Sequence, residues 1–194
     1  MAKSSRVAFI IPGYRFSPKR PEYKAIARAF AKQGIAPVGI SVMWKNRTMS
    51  QYIVQVEKII QAHPAKQKYM LGFSFGAYIS FVLSTRIKVK QQFLCSLSPY
   101  FAEDVQKIKK SWKEGLGKQR MQDFKNFSYR ALSPKVTSPT LMFYGDQEVP
   151  EVRRTVRAVY QKLKIKKKLL LFTGAKHRLS QPNIYSRFLS KLGP

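Results

Sequence analysis

Six short apolar runs recur along the 194 residues, and helix-periodic stretches lie between most of them. The runs are RVAFII (6–11), APVGISV (36–42), KQKYML (66–71), QQFLCSLS (91–98), PTLMFY (139–144) and KKLLLF (167–172). PEYKAIARAFAKQG (21–34) and TMSQYIVQVEKIIQAH (48–63) repeat apolar residues every three or four positions, as an amphipathic helix does. Pro21 suits a first helical turn and Gly34 a helix end. Further helices are predicted from about Phe75 to Arg86, near 150–163 and over 182–192. This alternation restricts the chain to βαβ units. The predicted fold is a three-layer α/β/α sandwich around a mostly parallel sheet of about six strands. At this length the chain builds one sizeable core, so residues 1–194 are expected to form a single domain.

The interval 99–134 breaks the alternation. It is longer than an ordinary connection and carries Trp112, Phe124, Phe127 and Tyr129 on helical fragments. It leaves from the C-terminal end of a strand, where open α/β sheets place their sites. A lid over a pocket is the expected reading. An enlarged crossover packed on the sheet is the alternative.

Within YMLGFSFGAYISF (69–81), Ser74 lies between Gly72 and Gly76 at a predicted strand-to-helix junction. A sharp turn there strains the apex residue and brings its neighbours two positions away into close approach, which glycine permits. The apex hydroxyl then stands clear at a helix N-terminus. The N–H of Phe75 points to where an oxyanion would form, and the helix dipole favours negative charge there. GFSFG therefore reads as a nucleophile elbow, G-x-S-x-G.

A serine needs a base, and the base an orienting acid. The chain order that accompanies this elbow is serine, acid, histidine. Only two histidines exist. His63 precedes the serine at a helix end. His177 follows the last predicted strand in FTGAKH and is the expected base. Outside 99–134 the chain has five acidic residues, and three of them, Asp146, Glu148 and Glu151, follow PTLMFY. Glu151 also suits a helix N-terminus.

IIPGY after the first strand, GFSFG, YGDQE and GAKH together resemble the α/β-hydrolase superfamily over nearly the whole length. The chain looks like a small member lacking the first two strands. The resemblance implies acyl transfer to water, with carboxylic ester or thioester hydrolysis through an acyl-enzyme at Ser74 as the default chemistry. It also implies an acid in a G-x-x-D sequence. On this chain that position is Glu148, while Asp146 has the usual residue type; the spacing favours Glu148. By the same resemblance, the second oxyanion donor is the N–H of Tyr14, with Arg15 beside it. Substrate contacts are expected from Arg15, Trp112, Phe124, Phe127 and Arg178.

With 37 Lys and Arg against 9 Asp and Glu, the net charge is +28, spread along the chain with short runs at 107–110 and 164–168. A spread excess permits attraction to polyanions but contains no specific nucleic-acid module. Arg15, Lys19, Arg20, Lys176 and Arg178 could gather at the pocket mouth and draw in an anionic small-molecule acyl substrate. A non-catalytic binding protein with anionic partners, or an acyltransferase, is the competing reading. No metal-ligand cluster, phosphate-binding glycine loop or dinucleotide fingerprint is present in the sequence, so no cofactor is expected. The lone Cys95 lies in an apolar run and reads as a buried, inert thiol. VAFII is too short for a secretory apolar region, and no later stretch is long enough to span a bilayer, which gives the expectation of a cytoplasmic protein.

Overall fold

The computed structural model describes residues 5–179. Strands β1 (Arg6–Ile11), β2 (Ala36–Gly39), β3 (Gln67–Phe73), β4 (Gln91–Cys95), β5 (Thr140–Gly145) and β6 (Lys167–Phe172) form one sheet in the order β2-β1-β3-β4-β5-β6. Every pairing is parallel. Parallel strands need crossovers, and helices supply four of them. These are α1 (Pro21–Lys32), α2 (Met49–Ala62), α3 (Phe75–Leu83) and α7 (Pro150–Lys162). The fifth crossover, between β4 and β5, contains α4 (Lys110–Leu116), α5 (Lys118–Phe124) and α6 (Tyr129–Leu132). This is the α/β-hydrolase fold without its first two strands. The helix anticipated over 182–192 lies outside the described residues.

Alternation along β1 divides its side chains between two apolar layers, as the two-residue strand period requires. Val7, Phe9 and Ile11 join one core cluster with Ile53, Val56, Tyr78, Phe81 and Val156, so α2, α3 and α7 share that face. Ala8 and Ile10 join the other with Tyr23, Ile26 and Phe30 of α1. β2 stops at Gly39, short of the run to Val42, because its only partner, β1, is matched from Val7–Ala36 to Ile10–Gly39.

The strand order reverses direction at β1. The chain steps outward from β1 to β2 and then returns to place β3 on the other side. The loops leaving β1 and β3 therefore diverge from a shared crevice, the position where open parallel sheets bind ligands. One loop carries Tyr14 and the other Ser74.

The 99–134 excursion continues the core. Phe101, Val105, Leu116, Phe124 and Phe127 are buried in the α2/α3 layer. Polar contacts pin it from three sides. Asp123 accepts from both the amide and the hydroxyl of Ser50 (2.8 and 2.6 Å), in the first turn of α2, where backbone donors are free and negative charge is favoured. Arg120 donates to the carbonyls of Trp44, Arg47 and Leu116 and to the Tyr52 hydroxyl. Thr155 of α7 donates to buried Asp104 at 3.1 Å.

Burial holds the Asp104 carboxyl above the ordinary carboxylate value of 3.8. A raised folded pKa means that the native state keeps its proton better than the unfolded chain. This stability is fully present below the unfolded value and is lost as pH rises through the folded one. Asp104→Asn keeps an acceptor for Thr155 without the charge. In urea unfolding it is expected to gain stability relative to wild type as pH rises from the ordinary carboxylate value of 3.8 towards neutrality. A constant difference across that range contradicts the assignment.

Candidate active site

The backbone of β3 enters a turn at Ser74 with φ 56 and ψ −115, a conformation L residues rarely adopt. Its amide donates to Cys95 O of β4 at 2.9 Å, and its carbonyl accepts from Tyr78 N in the first turn of α3. The two glycines are required by contact. A Cβ on Gly72 would lie 2.1 Å from Gly76 O, and one on Gly76 would lie 2.0 Å from Ile11 O. The turn can form only because strand and helix backbones touch there.

His177 stands over this hydroxyl. Its Nε2 is 3.0 Å from Ser74 Oγ, and its Nδ1 is 2.7 Å from Glu148 Oε2. The Glu148 side chain is fully buried, whereas that of His177 is 36% exposed. The three groups form a chain from a water-excluded carboxylate to a solvent-reachable imidazole. Phe73 packs against the imidazole with ring centroids 5.1 Å apart, which fixes its plane.

Asp146 sits elsewhere. Its Oδ1 accepts from Gly174 N at 2.7 Å, and its own amide donates to Phe172 O. Gln147 N adds a bond to Ala175 O at 3.0 Å. Gly145 lies so close beneath that a Cβ would come within 1.9 Å of Ala175 O. Asp146 thus knits the acid loop to the histidine loop, and Glu148, two residues on, faces the ring. Residue type pointed to the first position and spacing to the second; in the structure only Glu148 reaches the imidazole.

The amide of Phe75 is the first N–H of α3 and has no acceptor among the described residues, and the same holds for Tyr14 N. Gly13 N, one residue earlier, donates to the buried Tyr23 hydroxyl at 2.9 Å. Burial pushes that phenol well above its usual pKa, so it remains a neutral acceptor. Tyr23 of α1 therefore holds the β1 loop from behind while leaving the next amide free. The Tyr14 ring packs on Phe75 with centroids 5.0 Å apart and edge-on to Trp44 at 5.5 Å.

Two hydroxyls at the site were not legible in the sequence. Ser98 Oγ lies 3.0 Å from Ser74 Oγ and is 2% exposed. Tyr23 lies ten residues from the amide it holds. Both act across strand ends, and no short spacing announces them.

The aromatic expectations divide. Phe124 and Phe127 are closed into the core against Tyr78, Phe124 also stacking on Tyr100, so neither offers an open wall. Trp112 is half-buried against Tyr100, which packs on Phe75. Arg15 is exposed at φ 61 with its guanidinium 5.1 Å from the Tyr14 ring centroid. Lys19, Lys176 and Arg178 are exposed. Arg20 turns away, paired with Glu22 at 2.5 Å and stacked over Phe16. His63 caps the end of α2 and packs edge-on to Phe9. The Cys95 thiol is buried and held well above its usual pKa by desolvation. Among the described residues no helix is long and apolar enough to cross a membrane.

Comparison with known proteins agrees with this architecture. The family described as "Uncharacterised protein family (UPF0227)" matches residues 9–162. No curated protein matches the chain in sequence. Among solved structures, Est1E from Butyrivibrio proteoclasticus superposes with a TM-score of 0.80 at 14% identity, over 96% of this chain and 86% of its own. Alpha/beta hydrolase domain-containing protein 10 from mouse gives 0.82 at 14% identity, over 96% and 87%. The esterase Pf2001 from Pyrococcus furiosus gives 0.75 at 14% identity, over 97% and 81%. At such identities the likeness is one of fold.

Proposed function

Because the chain belongs to the UPF0227 family, whose description carries no reaction, the chemistry has to come from the site, and we propose that it is a serine hydrolase cleaving carboxylic esters or thioesters through an acyl-enzyme on Ser74. One observation carries the reading: the unbroken relay from Glu148 Oε2 through His177 to Ser74 Oγ, at 2.7 and 3.0 Å. The esterase and hydrolase names of the fold neighbours support it.

Glu148 accepts the Nδ1–H bond of His177, which leaves the Nε2 lone pair facing the serine. Ser74 Oγ attacks the acyl carbon as its proton passes to Nε2. The carbonyl oxygen gains charge and is received by the N–H groups of Phe75 and Tyr14. The imidazolium then protonates the departing alcohol or thiol. A water, deprotonated by the same nitrogen, attacks the acyl-enzyme, and Ser74 Oγ leaves with its proton restored. Each oxyanion donor is worth about 3 kcal/mol in comparable sites.

The excursion at 99–134 acts as a fixed cap over this site, with Tyr100 and Trp112 as the apolar wall nearest Phe75. The half-buried ring of Trp112 is expected to contact the acyl chain. Trp112→Ala should lower kcat/KM for long-chain esters about tenfold while leaving acetate esters nearly unchanged. Equal losses at every chain length contradict that contact.

The reading as a whole is tested with p-nitrophenyl esters and acyl thioesters of graded chain length. Turnover that is absent in Ser74→Ala supports it. A well-folded protein that hydrolyses none of them contradicts it.

A further inference from the structure

Three clefts lie away from Ser74, in a row along the outer face of α7. Their volumes are about 500, 250 and 610 Å³. They are contiguous: Ala158 lines all three, Arg154 joins the first to the second, and Arg130 joins the second to the third. The α7 wall presents Arg153, Arg154 and Arg157, continued by Lys162 at the helix end and Lys164 beyond it. The opposite wall comes from the excursion and presents Lys107 and Arg130.

Seven cations therefore line one groove, and none of them belongs to an ion pair among the described residues. The ion pairs found there are Arg20–Glu22, Arg86–Glu57 and His177–Glu148. The acids in the groove are already engaged. Glu103 accepts from the Ser128 hydroxyl and from the amides of Tyr129 and Arg130. Asp104 is buried beneath Thr155. Arg153 and Arg157 stand one turn apart on the same helix, a spacing at which like charges repel. Two guanidiniums are also fixed in place: Arg157 Nε donates to Tyr144 Oη at 2.9 Å, and Arg153 Nη1 to Asp146 O at 3.2 Å.

We propose that this groove binds single-stranded nucleic acid through its phosphodiester backbone, without sequence preference. A concave, cation-lined track is the form that follows a single strand. From Arg153 to Lys162 the helical rise gives about 14 Å of track, room for several phosphates. Basic surfaces also attract anionic membranes, but among the described residues the exposed large apolar side chains that would anchor in lipid are Phe16, Met43, Val54, Ile59 and Leu171. None of these lines the groove. Recognition of the backbone alone needs no sequence motif, which agrees with the lack of one.

The control for diffuse charge is built into the molecule. Lys24, Arg28 and Lys32 form an exposed basic stripe on α1 that lines none of these clefts. Labelled oligo-dT and oligo-rU of about 20 nucleotides are titrated by fluorescence anisotropy from about 50 to 200 mM KCl. Arg130→Gln/Arg154→Gln/Lys164→Gln should weaken both by about tenfold or more and make the log–log salt slope shallower by about 2. Lys24→Gln/Arg28→Gln/Lys32→Gln removes the same charge and should change affinity less than about threefold. Equal losses in the two triple variants overturn the proposal, since net charge would then suffice. It is also overturned by binding to phosphatidylserine vesicles in the absence of oligonucleotide binding. None of the three groove substitutions touches the Ser74 relay, so ester turnover stands or falls independently.

Discussion

His177→Ala is expected to lower kcat on any accepted ester by about 10⁴-fold to 10⁶-fold, the range seen when a triad member is removed. The imidazole is the only group among the described residues that bridges Ser74 Oγ and Glu148. Without it the serine has no acceptor for its proton. Its other close hydroxyl partner, Ser98, has no path to a carboxylate among the described contacts. Steady-state kinetics with a p-nitrophenyl ester measures the loss. His63→Ala is the matched control. His63 packs against Phe9 and accepts from Ala65 N through its Nδ1, just past the end of α2, so its loss should cost some stability and leave kcat within about twofold. Comparable kinetic losses in the two variants contradict the assignment. Glu148→Gln keeps the shape of the buried side chain but reverses the demand on Nδ1, and should lose about 10⁴-fold in kcat with KM little changed.

The second large effect concerns folding. Gly76→Ala places a methyl 2.0 Å from Ile11 O and 2.6 Å from Pro12 O. Both obstacles are backbone, at the C-terminal end of β1, where no side chain can swing aside. The strain should exceed about 3 kcal/mol, at the upper end for overpacking, and lower Tm by roughly 6–12 °C in a domain this size. Gly115→Ala is its counterpart. That glycine lies inside α4, and a Cβ there meets nothing within 4 Å. Relief of glycine's backbone entropy should stabilise the protein by about 0.5–1 kcal/mol. Thermal unfolding of the two variants gives opposite signs if the elbow is held by backbone contact. Similar Tm values contradict that account.

The glycine pair explains why the elbow could be read from thirteen residues. Its signature is local: Gly72 would clash with Gly76 four positions on, and Gly76 with the end of β1, so the sequence must record the relief at both positions of one short motif. The strands were legible for a related reason. β1, β3, β4 and β5 lie inside the sheet and are largely buried on both faces, so each appears as an apolar run. The edge strand β2 was overextended because its pairing with β1 ends at Gly39, with one further bond from Ile40 N to Ile10 O, a fact about β1 that its own composition does not carry.

The acid was ambiguous because two carboxylates follow β5 and loop geometry decides between them. Asp146 is drawn to Gly174 N and Glu148 to the ring, an arrangement set by the close approach of Gly145 to Ala175. Phe124 and Phe127 misled for the opposite reason. An aromatic in an irregular segment suggests a pocket wall, yet these rings complete the layer above Tyr78. The α7 groove was beyond reach, since its walls come from residues near 103–130 and 150–164. In a chain with 37 basic residues, only their convergence in space distinguishes these.

The central claim is that Ser74 is a covalent nucleophile made reactive by His177 and Glu148. Treatment with a fluorophosphonate followed by peptide mass spectrometry tests it without knowledge of the natural substrate. The account predicts one adduct, on the peptide containing GFSFG and assigned to Ser74, that forms slowly in His177→Ala and not at all in Ser74→Ala. An adduct on another residue, or none on folded protein, contradicts it.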